Sequence, residues 1–187
     1  ASEPPHWRWF VGGRTNACFS EVDRHVLSGY GDETALIFEG DRWDMSARGG
    51  AGAPVDSFTV SRKQLLLETA KCALALEALG LKAGDRIALN MPSIVPQIYW
   101  TEAAKRLGIV YTAVFGGFSD KTLSDRICDA GARVIVTSGD DAKLGRGVMK
   151  VAMFFSGQSA KATTRAKAAE NARASHVEAK VNAARAR

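Results

Sequence analysis

The sequence predicts an α/β fold in which strands and helices alternate along the chain. Two observations predict it. Four short apolar runs of strand character (residues 34–38, 86–89, 109–114 and 134–137) are separated by segments of helical periodicity. The connections are short, with glycine or a capping residue at the junctions, a pattern that favours a parallel sheet with helices packed on it. A composition of 46% hydrophobic and 24% charged residues over 187 positions suits one globular domain or part of a larger one.

Each element has a local cause. An aromatic arm (Trp7, Trp9, Phe10) leads through Gly12-Gly13-Arg14 to a helix that starts near Thr15 or Asn16, passes Cys18, Val22 and Val26, and stops at Gly29. Residues 34–38 read as a short buried strand, and the Gly-, Asp- and Arg-rich stretch 41–56 as a loop or hairpin connection. Phe58-Thr59-Val60 is a brief strand. Ser61 with Gln64 three residues later is a capping-box pattern, and the helix it opens sets Leu65, Thr69, Cys72, Ala73, Leu76 and Leu79 on one face before Gly80.

Residues 82–85 form a turn into the strand 86–89, and a helix follows from about Val95 to Leu107, with Gly108 behind it. The strand 109–114 runs into Phe115-Gly116-Gly117-Phe118-Ser119, a helix spans 119–130, and the last strand is 134–137. In such a sheet ligands bind beyond the carboxyl ends of the strands, where Gly116-Gly117 and residues 138–146 fall. A glycine pair there either serves backbone packing or lets the main chain approach a ligand beside unpaired helix N–H groups. Residues 148–155 allow one more strand, whereas 160–187 are Ala- and Lys/Arg-rich without an apolar stripe and read as a solvated helix or a disordered tail.

Charge divides the chain. From Gln158 onward seven Lys/Arg face only Glu170 and Glu178, so residues 1–157 hold 18 basic and 18 acidic side chains and the whole net charge of +5 sits in the tail. Its charges are dispersed among alanines with no aromatic residues between them, which implies weak phosphate attraction at most and makes a nucleic-acid or acidic-partner module the rival reading. Trp7, Trp9 and Phe10 read as a tether packed on the domain rather than as stacking groups for bases. No apolar run is long enough for a bilayer and the start of the chain has no signal pattern, so neither membrane nor secretion is expected. Cys18, Cys72 and Cys128 lack metal-type spacing and read as buried core thiols of a protein from a reducing cytoplasm. His6, His25 and His176 read as surface histidines, and Asp120 as a favourable charge at its helix start.

Several segments together resemble the AMP-forming acyl-CoA synthetases. Residues 31–40 (GDETALIFEG) resemble the strand that opens that family's large domain. Phe58-Thr59-Val60-Ser61 with Gln64-Leu65 resembles its "ITYREL" segment, and residues 79–88 (LGLKAGDRIA) its "LGVKKGDRVAI" block. Residues 114–119 and 125–132 (DRICDAGA) resemble the "VFGGFS…DRIxDAGA" segment of the acetate and propionate branch, and residues 9–16 with Asp23-Arg24-His25 its N-terminal extension. The propionyl-CoA synthase fusion enzymes are a close candidate for the parent. The resemblance covers about residues 7–147. It implies an N-terminal extension over 1–30, part of the large AMP-binding domain over 31–147, and a divergent tail over 148–187.

The resemblance also implies chemistry. The family couples acetate or propionate to ATP, with Mg, as an acyl-adenylate that the CoA thiol then attacks. In the acetate branch a basic pair after the strand matching 134–137 holds the phosphate-bearing nucleotide end of CoA. Here that stretch is Lys143-Leu144-Gly145-Arg146, with Lys143 where the family has Arg. A cationic pair on a Gly-containing loop suits a multiply charged phosphate, Arg146 by a paired bond and Lys143 as a point charge. Gly116 and Gly117 resemble the family's close approach to the pantetheine channel. The family's phosphate loop, aromatic-acidic-Thr motif and C-terminal catalytic Lys have no counterpart. The stretch 156–161 has Ala160 for the second Gly, no following Pro, and comes too soon after Arg146. The chain therefore reads as a fragment without activity of its own, and its start without Met fits a piece of a longer frame. Its partners are CoA, a carboxylic acid and the rest of the synthetase. A CoA-binding module without chemistry is the remaining alternative.

Overall fold

The structure is a computed structural model and describes residues 4–7, 9–115, 119–138 and 149–153. Residues 17–30 are helical, wound as π-turns over Phe19–Asp23 and Val26–Tyr30, and the path breaks at Gly29, whose φ is 91°. Asn16 is the cap: its Oδ1 accepts a hydrogen bond from the Phe19 N–H at 3.1 Å, which serves a donor left unpaired at a helix start. Cys18 and Val22, four residues apart on one face, pack against Val60, Leu65 and Val95.

Strand β1 (Thr34–Glu39) pairs antiparallel with β4 (Ser57–Ser61), placing Phe38 opposite Phe58 with ring centroids 5.0 Å apart. The sequence reads β1 as buried, but a two-stranded ribbon has only one covered face. Leu36 and Phe38 are half-buried, and Ile37 between them is 71% exposed. The connection read as a hairpin contains β2 (Trp43–Asp44) and β3 (Ala53–Pro54). Gly52 has φ 81°, and a Cβ on it would enter the Trp43 indole, so only glycine fits that turn.

The capping box forms as expected. Ser61 Oγ accepts from the Gln64 N–H at 3.2 Å, and Gln64 Oε1 accepts from the Ser61 N–H at 2.8 Å. Helix α1 (Arg62–Ala78) then buries Leu65, Thr69, Ala73 and Leu76, with Cys72 and Leu79 half-buried at the margin. The remaining elements are β5 (Arg86–Asn90), α2 (Val95–Leu107), β6 (Val110–Val114), α3 (Asp120–Ala130), β7 (Val134–Ser138) and β8 (Met149–Met153). Gly108, at φ 68°, ends α2, and Ser119 Oγ caps α3 by accepting from the Thr122 N–H at 3.3 Å.

The main sheet has the order β6-β5-β7-β8. Its first three strands are parallel, and β8 runs antiparallel to β7. Alternation along the strands separates two faces. Ile87, Leu89, Val134 and Val136 point into a core with Leu76, Trp100, Ala103 and Ala104 of α1 and α2. Ala88 and Ile135 point the other way, under Ile127 and Ala132 at α3 and its end.

Two further sequence expectations are corrected. Cys18 is buried, but Cys72 is only half-buried and Cys128 is exposed. Helix α3 turns Leu123 and Ile127 inward, and the next residue lies about 100° further round the helix, facing away from them. The aromatic arm does not pack on the domain: Trp9 is 80% and Phe10 92% exposed, and Trp7 is exposed as well. His6 is exposed and His25 half-buried, while His176 lies outside the described residues.

Candidate functional site

The two ends of the parallel strands differ in construction. At the amino ends, both Asp85 oxygens accept from Arg133 Nη1 at 2.8 Å, and Oδ2 also accepts from the Lys82 N–H at 2.7 Å. The Arg133 hydrogen bond, with the Lys82 N–H second, holds the Asp85 carboxyl below its ordinary range. Arg86 Nε donates to the Gly131 carbonyl at 3.3 Å, and the main chain adds Arg133 N–H to Arg86 O at 2.8 Å and Val110 N–H to Asp85 O at 2.9 Å. These bonds cross-link the starts of β5, β6 and β7.

At the carboxyl ends, Asn90 of β5 is flanked by Val114 of β6 and Thr137 of β7. With neighbouring strands ~4.8 Å apart, the ends of β6 and β7 stand about 10 Å apart across β5. Gly116 and Gly117 follow β6 after the single residue Phe115, and they lie outside the described residues. Lys143, Leu144, Gly145 and Arg146 also lie outside them, as do the loop-like stretch 156–161 and the tail. Their anchor points are described: Ser138 at the end of β7 pairs with Met149 at the start of β8, so the stretch 139–148 leaves and re-enters the sheet at the carboxyl edge. The described ends of β6 and β7 thus lie at the carboxyl side of the parallel strands.

A second polar cluster escaped the sequence reading. Lys105 Nζ donates to Glu21 Oε2 at 2.6 Å and to Glu102 Oε1 at 2.7 Å. Arg106 donates to Asp23 Oδ2 at 2.5 Å and to Cys18 Sγ at 3.4 Å. Asn16 Nδ2 donates to the Arg106 carbonyl at 2.9 Å, which satisfies an acceptor at the end of α2. Burial pushes the Cys18 thiol and the Glu102 carboxyl up, against the opposing pull of Arg106 and Lys105 respectively. A thiol raised in this way is a poor nucleophile. The cluster clamps the N-terminal helical segment to α2. Its only sequence signal is adjacent Lys-Arg in the last turn of a helix, which by itself reads as a dipole effect. Among the described residues no three His, Cys, Asp or Glu side chains converge to hold a metal ion, and no helix is long and apolar enough to cross a membrane.

The chain is similar to known proteins along most of its length. The acetyl-coenzyme A synthetase of Rhodopirellula baltica is 39% identical over 136 residues, covering 73% of this chain and 19% of that protein. The acetyl-coenzyme A synthetase of Mycobacterium bovis is 40% identical over 146 residues, and that of Deinococcus radiodurans 38% over 146, each alignment covering 78% of this chain and 21% of the relative. The chain therefore spans about a fifth of the length of the curated relatives it matches. The family model described as AMP-binding enzyme matches residues 24–185, and the chain belongs to that family.

Proposed function

We propose that this chain supplies the CoA-binding edge of an AMP-forming acid–thiol ligase that acts in the cytoplasm on acetate or propionate, of the acetyl-CoA synthetase or propionyl-CoA synthase type. In such a ligase the acid's carboxylate attacks the α-phosphate of ATP and pyrophosphate leaves. The CoA sulfur then attacks the acyl-adenylate carbonyl, its proton passes to solvent, and AMP leaves. The observation that carries the reading is that β6 and β7 end on either side of Asn90 of β5, in a segment about two-fifths identical to acetyl-CoA synthetases.

The roles follow from chemistry. Arg146 gives paired N–H bonds to a phosphate of the nucleotide end of CoA, and Lys143 adds a second positive charge. Leu144 and Gly145 space the two cations, and Gly116 and Gly117 let the main chain lie against the pantetheine arm without a Cβ in the way. ATP and magnesium are assigned to the remainder of the ligase, because the family's phosphate loop and catalytic Lys have no counterpart in this sequence. The chain alone binds CoA without performing the reaction.

Thermal unfolding of the chain with and without CoA tests this. A ligand at a hundred times its dissociation constant stabilises the folded state by about 2.7 kcal/mol. The expected result is a CoA-dependent rise in Tm that Lys143→Ala with Arg146→Ala abolishes. No rise with CoA, or a rise that survives the double substitution, removes the site. Acetate- and ATP-dependent pyrophosphate release by the chain alone would contradict the assignment of the reacting groups to the remainder.

A further inference from the structure

Two carboxylates share Lys105. Its Nζ lies 2.6 Å from Glu21 Oε2 on the N-terminal helical segment and 2.7 Å from Glu102 Oε1 on its own helix, α2. The adjacent Arg106 does not balance the surplus, because it is paired with Asp23 and also donates to Cys18 Sγ. With both glutamates ionised, the trio of Glu21, Lys105 and Glu102 is negative overall. The surplus falls in a poor place. The Glu102 side chain is 7% exposed, against 51% for Glu21, and its Oε2 is buried without a hydrogen-bond partner among the described residues. A buried surplus charge and an unserved oxygen both cost stability, and a proton on Glu102 relieves both. The other surroundings of Glu102 do not supply that relief. Cys18 across the interface feels its charge, Glu68 and Cys72 of α1 act on Tyr99 one turn earlier, and the sheet beneath α2 presents the uncharged Ile87, Leu89, Val134 and Val136.

We propose that Glu102, Glu21 and Lys105 form a proton-operated latch, in which one proton taken from solvent fastens the N-terminal helical segment, residues 17–30, to α2. The protonated Glu102 donates to the Glu21 carboxylate, a hydrogen bond between the two elements. Lys105 is then left to a single carboxylate, and the trio becomes neutral. Burial first, with Lys105 opposing, raises the Glu102 carboxyl in the fold above its unfolded value of about 4.3. The folded chain therefore binds this proton more tightly than the unfolded one, and docking weakens as pH rises through the folded pKa. Glu21 works in the opposite sense. The Lys105 hydrogen bond lowers its folded pKa, so its bridge is lost as pH falls through that lower value. The latch is tightest in the mildly acidic window between the two titrations, which belong to the pair as a unit.

Thermal unfolding of the 187-residue chain and of its Glu102→Gln variant from about pH 7.5 to about pH 5 tests the latch. Glutamine keeps the shape of the protonated carboxyl and cannot ionise. It should raise Tm by about 2–4 °C at the upper pH, and the advantage should vanish toward the lower one as the unsubstituted chain takes up its proton. The histidines titrate in this range in both proteins and cancel in the comparison. An equal Tm difference at every pH, or none at the upper pH, overturns the proposal. Glu21→Gln should shrink the pH dependence, and a dependence that survives it at full size reduces the effect to the burial of Glu102 alone and removes the latch. Amide exchange, corrected for intrinsic rates, reads docking directly. Protection of residues 17–30 should be severalfold higher at the lower pH in the unsubstituted chain, without such a gain in Glu102→Gln. A gain shared equally by β5 would mean that the proton stabilises the whole fold, and overturns the latch. Where a variant fails to fold, carbon-13 titration of the Glu102 carboxyl in the unsubstituted chain decides: titration at or below the ordinary glutamate value overturns the proposal.

Discussion

The amino and carboxyl edges of the parallel sheet share three strands and differ in what fixes them. At the amino edge Asp85, Arg86, Lys82, Arg133 and Gly131 are joined by bonds that span up to 48 positions in sequence. At the carboxyl edge Asn90, Val114 and Thr137 are held by the sheet ladder, and β6 and β7 lead into glycine-containing segments, the second of which carries Asp140, Asp141, Lys143 and Arg146. In an open parallel sheet, bonds at the amino edge fasten the strands and leave the carboxyl edge available for a ligand.

The largest effect should come from removing what both edges share. Leu89 is fully buried in β5, between Val136 and Ala113. Leu89→Ala should destabilise the chain by about 2–5 kcal/mol, from lost transfer energy and the cavity left behind. Urea unfolding followed by far-UV circular dichroism measures the loss. A cost well below 1 kcal/mol would mean that the two edges do not depend on a common packed centre.

An intermediate effect should come from the amino edge, and it should depend on pH. The Asp85 carboxyl is held below its ordinary range by Arg133 first and the Lys82 N–H second, so its folded pKa lies below the unfolded one of about 3.9. The unfolded chain then binds the proton more tightly, and the stabilisation is fully present above the unfolded pKa and lost as pH falls through the folded one. Asp85→Asn should therefore lower Tm at pH 7, with the gap from the unsubstituted chain narrowing below about pH 4. A gap of the same size at pH 7 and pH 3 would show that Asp85 acts through its shape and not its charge.

Much of this sheet was legible because its signals are local. Ser61 with Gln64, Gly108 after Leu107, and the unbroken apolar run of β7 each lie within a few residues of the feature they specify. The amino edge was not legible, because the Asp85–Arg133 pair joins the starts of two strands that become neighbours only when the sheet forms. The Lys105 bridge to Glu21 is hidden for the same reason, with 84 positions between the partners. Cys128 failed differently: a short helix with two inward residues leaves the neighbouring position ambiguous until the packing is seen. At the carboxyl edge, Gly116, Gly117, Lys143 and Arg146 carry no periodicity; the strand order pointed to their side of the sheet, and only the resemblance pointed to CoA.

The smallest effect should come from the carboxyl edge, and its smallness is the point of the comparison. If Lys143 and Arg146 serve a ligand and not the fold, replacing both with alanine should change stability without CoA by no more than about 0.5 kcal/mol, as at surface positions without a structural partner. Urea unfolding of the double variant in CoA-free buffer measures it. The connection between β7 and β8 begins and ends at the Ser138–Met149 pair, so a loop that braced this hairpin through its cations would lose stability when they are removed. A loss above about 1.5 kcal/mol, the scale of a broken charged hydrogen bond, would make the pair a structural brace like Asp85 and Arg133 and erase the distinction between the edges. Neutral stability together with a lost CoA shift leaves binding as the only work these side chains do.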